Sequence, residues 1–215
     1  MFAPLLSALP ETINPVVVAY PTDEEFGYDE LTRLSREAIP ESGPYSILGE
    51  SFSGPIAISL ASEADSRLAA LFLCCSFASN PSRTLAAISP ILQITPVKSA
   101  LAELAALYLL GADSSELKDA VRKTLRKVDA RVLRNRLREL TRVNVTKDLL
   151  SVSAPIQYLQ ASDDRLVPKN CAQYICEVAP STEMCEINGP HLLLQKQPER
   201  SSEAIVGFLK KNGAI

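Results

Sequence analysis

Short apolar runs alternate along this chain with stretches of helical periodicity, and that alternation leaves few folds open. Residues 16–20, 45–48 and 68–76 are continuous apolar or β-branched runs bounded by proline, glycine or charged residues, the pattern of strands buried on both faces. Between them Tyr28, Leu31, Leu34, Ala38 and Ile39 recur at helical spacing until Pro40 and Gly43-Pro44 end the helix. Residues 55–61 read as a further helix whose proline lies in the first turn, where its missing N–H does no harm. The alternation resumes with strands at 156–160 and 183–187 and helices at 169–178 and 202–211, the last ending at Asn212-Gly213. Strands alternating with helices require a mostly parallel sheet flanked by helices, an α/β fold.

Residues 80–152 interrupt this rhythm with helices and no clear strand, so the core is expected in 1–79 and 153–215 with a helical insertion between. Residues 97–110 are almost wholly Ala and Leu, too short to span a bilayer, and read as a buried helix or one covering an apolar pocket. A helix with a capping box of Asp113 and Glu116 comes next, with Leu117, Val121, Leu125 and Val128 on one face. A second basic helix runs from about Asp129 through Val132, Leu133, Leu137 and Leu140. The net charge is −3, but residues 113–148 carry +5 and the remainder −8. Solvated helix faces account for this charge, and without interleaved aromatics or a Gly-rich phosphate loop it does not point to nucleic acid. At 47% apolar residues and with five cysteines in no metal-binding spacing, the chain reads as a soluble, reduced, cytoplasmic protein with no metal or other cofactor. Residues 1–10 are apolar enough for a short helix but lack the features of an export signal or a membrane span.

Three residues that could carry chemistry each come after a predicted strand. Ser51 stands in Gly49-Glu50-Ser51-Phe52-Ser53, a sharp strand-to-helix turn with small residues two before and two after it, the arrangement that presents a nucleophile. A serine hydroxyl needs a base to take its proton and a third group to orient that base. His191 is the only histidine and falls in Asn188-Gly189-Pro190-His191, after the last strand. Asp163 and Asp164 come after the strand at 156–160, so at least one carboxylate lies on the same sheet edge. Serine, acid and histidine thus occur in the order Ser…Asp…His, each at the carboxyl end of a strand, where parallel sheets place their sites.

With these residues the chain resembles the α/β-hydrolase superfamily over nearly its whole length. The resemblance rests on the turn at Ser51, the acid loop Asp164-Arg165-Leu166-Val167-Pro168, the Gly-Pro-His loop with Leu192-Leu193-Leu194 and Pro198-Glu199 beyond it, and the helical insertion before the acid strand. It implies Ser51 as nucleophile, His191 as general base and acid, Asp164 as the orienting carboxylate with Asp163 as a possible substitute, and the Phe52 N–H as one oxyanion donor. The insertion would be a helical lid. The resemblance departs at the front, where Met1-Phe2-Ala3-Pro4 is similar to the helix just after the family's usual oxyanion loop. The expectation is either a sequence that starts upstream or direct pairing of the strands at 16–20 and 45–48, with a weakened enzyme. The activity implied is that of a cytoplasmic serine hydrolase of carboxylic esters or thioesters, acting on a small-molecule acyl substrate with neither nucleic acid nor stable membrane insertion. The other expectation is a non-catalytic binding protein of the same fold whose basic insertion meets acidic partners.

Overall fold

The computed structural model describes residues 1–81 and 100–215. Two helices come first, α1 (Ala3–Ala8) and α2 (Tyr28–Arg36), followed by β1 (Tyr45–Glu50), α3 (Gly54–Ser62) and β2 (Leu68–Cys74). Among the described residues, four helices precede the next strand: α4 (Ala100–Leu110), α5 (Ser115–Lys127), α6 (Ala130–Leu140) and α7 (Thr146–Ser151). Then come β3 (Ile156–Asp163), α8 (Lys169–Val178), β4 (Glu183–Pro190), α9 (Leu193–Lys196) and α10 (Pro198–Lys211). The start of the insertion, including residues 97–99 of the expected apolar helix, lies outside the described residues.

Among the described residues the sheet has four strands in the order β1-β2-β3-β4, every neighbouring pair parallel. All four carboxyl ends therefore open on one edge. Successive side chains of β2 point to opposite faces. Ala70, Phe72 and Cys74 meet Leu5 of α1 and Ile205, Phe208 and Leu209 of α10. Leu71 and Leu73 meet Ala57, Ile58 and Ala61 of α3 and Ala172 and Ile175 of α8. Both faces are covered, which is why this strand is apolar without a break. Outside α3, Tyr28 and Leu31 of α2 pack on Ile56, Leu60 and Phe77.

The expected strand at 16–20 is not a strand. Val16 and Val17 are 69% and 48% exposed, and among the described residues β1 is an edge strand that pairs only with β2. Direct pairing of 16–20 with β1 is therefore not how this chain is built. A run of β-branched residues becomes a strand only where a neighbour offers a row of backbone partners, and among the described residues none does so here. The segment just beyond is instead stitched to α6. Arg136 donates to the Pro21 carbonyl at 2.7 Å, Arg131 to that of Asp23 at 2.7 Å and Asn135 to that of Glu25 at 2.9 Å. Part of the basic charge read as a solvated face thus satisfies loop carbonyls.

A second correction concerns the start of α5. Ser114, not Asp113, is the N-cap, its hydroxyl accepting from the Leu117 N–H at 3.2 Å. Asp113 is drawn away to Lys196 at the end of α9, at 2.6 Å. All five cysteines are free thiols, and no helix among the described residues is long and apolar enough to cross a membrane.

Candidate active site

Ser51 comes directly after β1, and its backbone is left-handed, with φ 52°. A residue with a Cβ adopts that conformation only where its surroundings enforce it, at a cost of about 1–3 kcal/mol. Close packing on both sides of the turn does so. A Cβ on Gly49 would lie 2.7 Å from the Cβ of Ala57, so only glycine lets β1 run this near α3. On the far side a Cβ on Gly54 would fall on the hydroxyl of Ser76. That hydroxyl donates to the carbonyl of Ser51 at 2.8 Å. Ser76 is itself fixed by the buried Tyr158 of β3, whose hydroxyl accepts from the Ser76 N–H at 2.8 Å and donates to its carbonyl at 2.7 Å. Burial holds that phenol far above its ordinary pKa and therefore neutral. The sequence pattern puts the second small position at Ser53; the close approach occurs at Gly54. Nothing in the spacing of the chain marks Ser76 or Tyr158. The signal available is a tyrosine in a strand covered on both faces, since a buried hydroxyl there needs a partner.

The three residues expected to share chemistry meet at the carboxyl edge. Ser51 Oγ lies 2.9 Å from His191 Nε2. His191 Nδ1 lies 2.8 Å and 3.0 Å from the two oxygens of Asp164. Asp164 Oδ1 also accepts the N–H groups of Leu166 and Val167, each at 2.8 Å, so the loop after β3 orients the carboxylate before it meets the ring. His191 and the Asp164 side chain are almost wholly buried, at 1% and 0% exposed, whereas Ser51 is part-exposed at the mouth. Asp163 is not in this group. It is exposed and accepts from Ser162 at 3.1 Å.

Phe52, whose N–H is the expected oxyanion donor, stacks its ring on Tyr28 of α2 with centroids 4.7 Å apart, which fixes the peptide after the serine. On the opposite side Leu107 of α4, Ala112 from the turn after it and Val121 of α5 pack on Leu192 beside the histidine. The Leu192 N–H donates to the Leu110 carbonyl at 3.2 Å. Gly111, with φ +70°, turns the chain against Pro190, where any Cβ would collide with the proline ring. Arg165, in the acid loop, sits over the Tyr108 ring of α4 at 4.6 Å.

Among the described residues one set of possible metal donors converges, Cys75, Asp164 and His191, within 4.8 Å of one another. Two of these are committed to each other and to the loop amides, so the set belongs to the serine constellation. A cavity of about 410 Å³ beside Phe77, Asn80 and Tyr174 includes none of Ser51, Asp164 or His191 and is not part of it.

No family model and no curated protein matches the sequence. Solved structures do resemble the fold. A hydrolase from Oleispira antarctica aligns with a TM-score of 0.73 at 18% identity, over 86% of this chain and 72% of that one. A lipase-esterase related protein from Clostridium acetobutylicum aligns at 0.73 and 14%, over 96% and 88%. An esterase from Exiguobacterium antarcticum aligns at 0.74 and 13%, over 87% and 75%. The chain has the α/β-hydrolase fold. At these identities the likeness is one of architecture, and activity must be argued from the site.

Proposed function

We propose that this protein is a serine hydrolase that cleaves carboxylic ester or thioester bonds through an acyl-enzyme on Ser51. The observation that carries the reading is the unbroken relay of hydrogen-bond distances from Ser51 Oγ through His191 to Asp164, across the carboxyl ends of three parallel strands. His191 Nε2 takes the Ser51 proton as Oγ attacks the substrate carbonyl. The Asp164 carboxylate accepts the Nδ1–H, holds the ring in the tautomer whose Nε2 is free, and stabilises the imidazolium that forms. The Phe52 N–H donates to the oxyanion of the tetrahedral intermediate. Collapse releases the alcohol or thiol, protonated by His191, and a water activated by the same ring then frees the acid.

Helices α4 and α5, packed on Leu192 beside the histidine, serve as a lid over this edge, with the apolar α4 lining the acyl-binding side. The similar structures described as esterases and a hydrolase support the same reaction class. Five unpaired cysteines favour a reducing compartment, and we assign the protein to the cytoplasm. The test is labelling by a fluorophosphonate probe, with intact mass to locate the adduct. Rapid modification of Ser51 that is lost in Ser51→Ala and in His191→Ala is expected. A folded chain that takes up no probe would overturn the reading in favour of a non-catalytic binding protein of this fold.

A further inference from the structure

The residue immediately before the serine is a glutamate whose carboxylate is withdrawn from water. Glu50 ends β1, and although its backbone lies at the sheet edge, its Oε1 is out of solvent and has no hydrogen-bond partner. Its Oε2 accepts from Gln195 Nε2 at 3.0 Å. Gln195 lies on α9, which begins two residues after His191. One buried carboxylate therefore bridges the strand that presents the serine and the helix that continues the histidine loop. Burial of an acid with an unused acceptor is unfavourable, and an apolar side chain would fill the space at less cost. The relay from Ser51 to Asp164 uses neither Glu50 nor Gln195.

We propose that Glu50 is a positioning residue for His191: through Gln195 it holds the histidine loop against the serine turn, and its charge favours the imidazolium. The inference rests on the reading of His191 as the base only for its effect on turnover. The coupling between the two side chains stands apart from it.

The groups that face Glu50 are few. His191 and the Met1 ammonium act on it as positive charges, while Gln195 and the nearby Leu194 N–H also favour its charged form. Cys74 of β2, whose thiol burial keeps protonated, faces it from the neighbouring strand. Burial outweighs the stabilising contacts and pushes the Glu50 carboxyl up to about 6. Protonation also turns the orphaned acceptor into a donor. Glu50 thus changes charge within the pH range in which a histidine works.

The single histidine makes the experiment direct. In the full chain with isotopically labelled histidine, one ring resonance reports His191 and nothing else. Tracked against pH, wild type is expected to show a second inflection near pH 6 from Glu50. Glu50→Gln, which keeps the shape and an acceptor for Gln195, should lose that inflection. Glu50→Asp should restore the second inflection. Gln195→Ala removes the donor to Oε2, so the Glu50 inflection should move to higher pH. If the His191 curve is the same in wild type, Glu50→Gln and Gln195→Ala, the proposal is wrong. The acid limb of kcat/KM should track the same shifts. Coupled titration in a chain that takes up no fluorophosphonate would sustain this inference while removing the hydrolase reading, so the two fail separately.

Discussion

At the scale of single residues, the arrangement around Ser51 is maintained by neighbours that leave no room for anything larger. Gly54 faces the Ser76 hydroxyl, and that hydroxyl holds the Ser51 carbonyl. Gly54→Ala should therefore lower stability by about 1–3 kcal/mol in urea denaturation, the usual cost of overpacking. It should also slow probe labelling of Ser51, because the turn has to shift. Asp164 and Asp163 make a sharper contrast. In Asp164→Asn the amide oxygen can still accept the two loop N–H groups, but the NH₂ meets Nδ1 and drives the ring into the other tautomer. Ester turnover should fall by about 10⁴-fold with the fold intact by circular dichroism, whereas Asp163→Asn should leave turnover unchanged. Ser51, His191 and the acid loop were legible in the sequence because each comes after a strand in a parallel sheet, which forces them to one edge. Ser76, Tyr158 and Gln195 were not, because their roles depend on contacts between distant segments and no local pattern marks them.

At the scale of elements, the pattern read well where an apolar run had partners on both sides and misled where it did not. β3 is buried although Gln157 and Gln160 interrupt its apolar run, whereas β2 is buried on both faces and its sequence shows it. Residues 16–20 have the same composition, yet the segment lies exposed and unpaired with β1. Val17→Lys should accordingly change stability by no more than about 0.5 kcal/mol. A value of several kcal/mol in denaturant titration would mean the segment is buried after all. The start of α5 shows the same limit at close range. Asp113 and Ser114 are both good caps in isolation, and the choice between them is made by Lys196, far along the chain. Ser114→Ala should cost about 1 kcal/mol by urea titration, and Asp113→Ala, which breaks only an exposed ion pair, clearly less.

For the whole molecule, the buried acid at the end of β1 sets a pH dependence. Its folded pKa is raised from 4.5 to about 6, so between those values the native state binds more protons than the unfolded chain. Stability should therefore fall as pH rises through that window, by about 2 kcal/mol in all, and stay lower above it. Urea titrations at pH 4.5 and pH 7.5 should reveal this slope, flattened in Glu50→Gln, which should be the more stable of the two at pH 7.5. The insertion adds a different property to the molecule. Leu192, next to the histidine, gives its amide proton to the last carbonyl of α4, and Gly111 closes on Pro190 at the same junction. The end of α4 cannot lift away while that amide stays protected. The pace at which the Leu192 amide exchanges with deuterated solvent is thus a clock for the parting of insertion and core, and a ligand wedged between them would make it run faster.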